Sequence, residues 1–71
     1  MTNAAMDPLE LAAAVRAACL RAVVEAYEAA GVQGLCAEGR WEAAVGALES
    51  LDLDRLIREI EQANAGRPAS D

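Results

Sequence analysis

A chain of 71 residues has room for one small domain, and twelve acidic residues against six basic ones give it a formal net charge of −6. Phosphate backbones and anionic lipid surfaces repel a chain of this sign, which argues against nucleic-acid and membrane-surface partners. Histidine and phenylalanine are absent, and only two cysteines, Cys19 and Cys36, are present. That excludes a disulfide framework, a zinc site and the usual Cys–His nucleophile pair.

Asp7-Pro8-Leu9-Glu10 opens the first helix: an acid at the cap, proline at the first helical position, and glutamate three residues after the cap. Helical spacing predicts a run to Ala30, with Gly31 as the stop. Leu9, Ala12, Val15, Cys19, Val23, Ala26, Tyr27 and Ala30 share one broad face. Glu10, Arg21, Glu25 and Glu28 gather on the other, with Arg21 and Glu25 spaced for an ion pair. So many alanines on the apolar face allow a partner helix to approach closely.

Three glycines in residues 31–39 predict a turn, a short helical segment over roughly 33–38, and a second turn. Helical spacing resumes from Arg40, with Trp41, Ala44, Val45, Leu48 and Leu51 in one stripe. Ser50 or Asp52 reads as the cap of a last helix carrying Leu53, Leu56, Ile57, Ile60 and Ala63 on one face. Asp54–Arg58 and Arg55–Glu59 stand at pairing distance along its outer side. Asn64-Ala65-Gly66 reads as the stop. The expected fold is all-α, a small three-helix bundle with a long first helix, a glycine-rich segment and two further helices. Residues 7–65 make a single helical domain, between a disordered N-terminus (1–6) and a disordered tail (66–71).

Gly34-Leu35-Cys36-Ala37-Glu38-Gly39-Arg40-Trp41-Glu42-Ala43-Ala44, with Ala18-Cys19, Ala26-Tyr27-Glu28 and Leu51-Asp52-Leu53, resembles a group of short bacterial proteins without an assigned activity. Some of these carry an automatic acetyltransferase label. The likeness spans residues 9–54 and implies a small helical unit. An acetyltransferase needs a sheet and a pyrophosphate loop, whereas Gln33 to Gly39 places its glycines at other offsets. Gly39-Arg40-Trp41-Glu42-Ala43-Ala44 also resembles half a tetratricopeptide hairpin. Leu48 replaces an aromatic there, Leu51 replaces a small residue, and no second repeat follows. A lone repeat cannot bury its faces and needs a partner or a second copy.

Other constellations read as ordinary surface or core. Asp52-x-Asp54 begins like a calcium loop, but Ile57 and Ala63 occupy the glycine and closing-glutamate positions. Gly31, Gly34, Gly39 and Gly46 lack the Gly-Lys-Ser/Thr of a phosphate cradle. Cys19 reads as core and Cys36 as a small apolar residue, or else as a reactive thiol at a helix start. Trp41 is read first as the anchor of the core and otherwise as an interface hot spot.

The apolar 55% of the chain contains one tryptophan and one tyrosine and is rich in alanine, a strong helix former that contributes little buried area. At this length burial barely offsets chain entropy. The expectation is therefore a non-catalytic protein–protein interaction module, either a homo-oligomer or an accessory subunit of a larger complex. Val15, Cys19, Val23, Tyr27, Trp41, Val45, Leu48, Leu56 and Ile60 would form its core and contacts. A small-molecule or cofactor-binding regulator using Cys36 is the alternative. No cofactor or metal is called for. Without a leader or membrane-spanning stretch a cytoplasmic location is expected, and the lysine-free, arginine-rich composition points to a GC-rich bacterial gene.

Overall fold

The structure, a computed structural model, describes residues 6–65. The expected disordered ends lie, apart from Met6, outside the described residues. The protein is all-α, with helices α1 (Pro8–Val32), α2 (Ala37–Glu49) and α3 (Leu53–Ala65) in chain order. No described helix is long and apolar enough to cross a membrane.

α1 begins where the sequence places it, with the Asp7 carbonyl accepting the Leu11 N–H at 3.0 Å. Its end corrects the expected stop. Gly31 remains helical, and the chain leaves the helix at Gly34, which takes φ +91°. The Leu35 N–H donates to the Ala30 carbonyl and the Gly34 N–H to the Gly31 carbonyl, both at 3.0 Å. This 6→1 and 5→2 pair is a Schellman closure, which needs a left-handed residue at the position Gly34 occupies.

The short helix expected over 33–38 does not form. Gln33 and Gly34 turn, Leu35 and Cys36 are non-helical, and α2 starts at Ala37 rather than at Arg40. The Cys36 carbonyl accepts the Arg40 N–H at 2.9 Å, and Glu38 places an acid in the first turn, where the helix dipole favours it. Gly39, expected to mark a turn, lies inside the helix. A Cβ there would come within 3.0 Å of Leu35 Cδ2, so the missing side chain lets Leu35 fold down onto α2.

Ser50 ends α2, its hydroxyl donating to the Gly46 carbonyl at 2.8 Å, and Asp52 is the cap of α3. The Asp52 Oδ1 accepts the Arg55 N–H at 3.1 Å while its carbonyl accepts the Leu56 N–H. Of the two spaced pairs on α3, Arg55–Glu59 closes at 3.0 Å; Asp54–Arg58 does not, nor does Arg21–Glu25 on α1.

Contacts divide the chain into two compact units. One joins the start of α1, through Val15, to the segment from Asp52 onward. It holds Leu11, Ala14, Val15, Leu56, Ile57 and Ile60 half-buried and buries no residue of α3 completely. The other, Arg16–Leu51, is a hairpin of the remainder of α1 with α2.

Candidate functional site

The hairpin is zipped by small residues. Ala18, Ala30 and Ala44 are the buried apolar residues among those described, and no larger side chain is buried with them. On α1 the seam follows Ala18, Ala22, Ala26 and Ala30; on α2 it follows Arg40, Ala44 and Ala47, with half-buried Leu51 just past the helix end. Spacings of three and four residues put each set on one helix face. Both seams are turned toward the alanines relative to the faces read from sequence, because helices approach most closely where side chains are smallest.

At the closed end, Arg40 folds across α1. Its guanidinium carbon lies 5.6 Å from the Tyr27 ring centroid, a cation–π distance. Its Nε–H donates to the Leu35 carbonyl at 3.2 Å. A Cβ on Gly31 would stand 2.8 Å from the Arg40 guanidinium carbon, so Gly31 keeps α1 smooth where Arg40 crosses it.

This rotation leaves larger apolar side chains outside. Trp41 is 64% exposed, Leu20 60%, Val24 48%, Leu48 46% and Tyr27 39%, with Val45 half-buried between Trp41 and Leu48. The core reading of Trp41 is thus corrected: in the single chain it does not anchor a core. Tyr27 and Leu48 likewise lie outside. Val15, Cys19, Val23, Val45, Leu56 and Ile60 are half-buried. The corrected α1 face also loses Leu9, which is 75% exposed.

Five of the exposed apolar residues, with half-buried Val45, form two stripes, while Val32, Leu35 and Leu53 are exposed outside them. Leu20, Val24 and Tyr27 stand at i, i+4, i+7 on α1, and Trp41, Val45 and Leu48 repeat that spacing on α2. At about 100° per residue, Leu20 and Val24 stand midway between successive seam alanines and point away from α2, whereas Trp41, Val45 and Leu48 lie about 100° around α2 from its seam. The two stripes are thus separate exposed apolar surfaces of the hairpin. Leu20 and Val24 were absent from the sequence-derived contact residues. Their signal was a second apolar stripe beside the first, legible only once the alanine seam was known.

Cys36, the other candidate, occupies the cap position of α2 with extended backbone and is exposed. Its thiol makes no capping hydrogen bond, yet the backbone N–H groups of Gly39 and then Glu38 favour the thiolate and lower its pKa. Slight desolvation and the Glu42 charge oppose them. Cys19 is a free, half-buried thiol on α1. No group of three or more His, Cys, Asp or Glu side chains among the described residues is placed to hold a metal ion. Compared with known families, curated proteins and solved structures, the chain has no significant match.

Proposed function

We propose that this chain is a non-catalytic protein–protein interaction module, working as a homo-oligomer or as an accessory subunit of a larger complex. One observation carries the reading: large side chains able to supply burial energy, Trp41 and Leu20 foremost, are exposed, while alanine fills the seam. Fully burying a leucine-sized side chain is worth roughly 1.5–3 kcal/mol. A chain of this size gains stability it otherwise lacks when those groups are covered. The likeness to half a tetratricopeptide hairpin agrees, since such a unit is completed by stacking.

Thermal unfolding over a hundredfold range of chain concentration tests the self-associating form. A midpoint that rises with concentration supports it, because assembly stabilises by mass action. A cooperative midpoint independent of concentration counts against it. The regulator reading is favoured by the exposure and lowered pKa of Cys36. A Cys36→Ser variant that leaves small-molecule binding and behaviour in cells unchanged removes that reading.

A further inference from the structure

We draw no further inference here: the strongest candidate, the two exposed apolar stripes of the α1–α2 hairpin, Leu20, Val24 and Tyr27 on α1 and Trp41, Val45 and Leu48 on α2, carries none, because they are separate surfaces and nothing in the structure shows what covers either.

Discussion

Among the glycines of the connecting segment, position alone does not say which one turns the chain. Gly31, Gly34 and Gly39 are close enough in sequence to look equivalent, yet only Gly34 adopts a positive φ. Gly34→Ala is expected to destabilise by about 1 kcal/mol, because alanine is strained in that conformation. Gly31→Ala should be nearly neutral: helix propensity improves by up to about 1 kcal/mol while the Arg40–Tyr27 contact, worth about 0.5–1 kcal/mol, is displaced. Denaturant titration of the two variants at one concentration checks the order. Cys36 makes a separate prediction at this scale. Because the Gly39 and Glu38 N–H groups favour its thiolate, alkylation in a Cys19→Ser background should reach half its maximal rate at lower pH than in denaturant. An identical profile in both conditions would show that the start of α2 does not act on the thiol.

The helices themselves were largely legible, since their ends are chemically marked. Asp7-Pro8 announced α1, and Asp52 was one of two residues read as the cap of α3. Ser50 lost that role because its hydroxyl closes the end of α2. Asp52→Ala is expected to cost about 1 kcal/mol through the lost bond to the Arg55 N–H. Gly46 lies inside α2 with open space where a Cβ would go, so Gly46→Ala should stabilise by about 0.5–1 kcal/mol. Thermal or denaturant unfolding of both variants reads these signs. Rotation about the helix axis was the part that could not be read. Helical spacing groups Trp41, Ala44, Val45 and Leu48 on one broad arc of α2, but not which edge of that arc meets α1. Tertiary contact decided it in favour of Ala44 over Trp41, because backbones drawn close by alanine leave no space for an indole. The same choice placed Tyr27 at the margin of α1 and exposed Leu20 and Val24.

For the whole molecule, these local choices combine into one imbalance. Alanine-on-alanine contact lets α1 and α2 pack tightly but hides little apolar area, and α3 contributes no fully buried side chain. The thinness of the core was legible from composition, since 55% apolar residues with so few large ones cannot build a deep interior. The location of the uncovered surface was not, because it depends on the seam. Solution mass across nanomolar to high micromolar concentration tests the central claim, that the exposed stripes are covered by protein, most directly for self-association. The expected result is a weight-average mass that climbs from near the 7.4 kDa of one chain toward a defined multiple. A mass fixed at one chain throughout, from a sample that unfolds in a single cooperative transition, would contradict it.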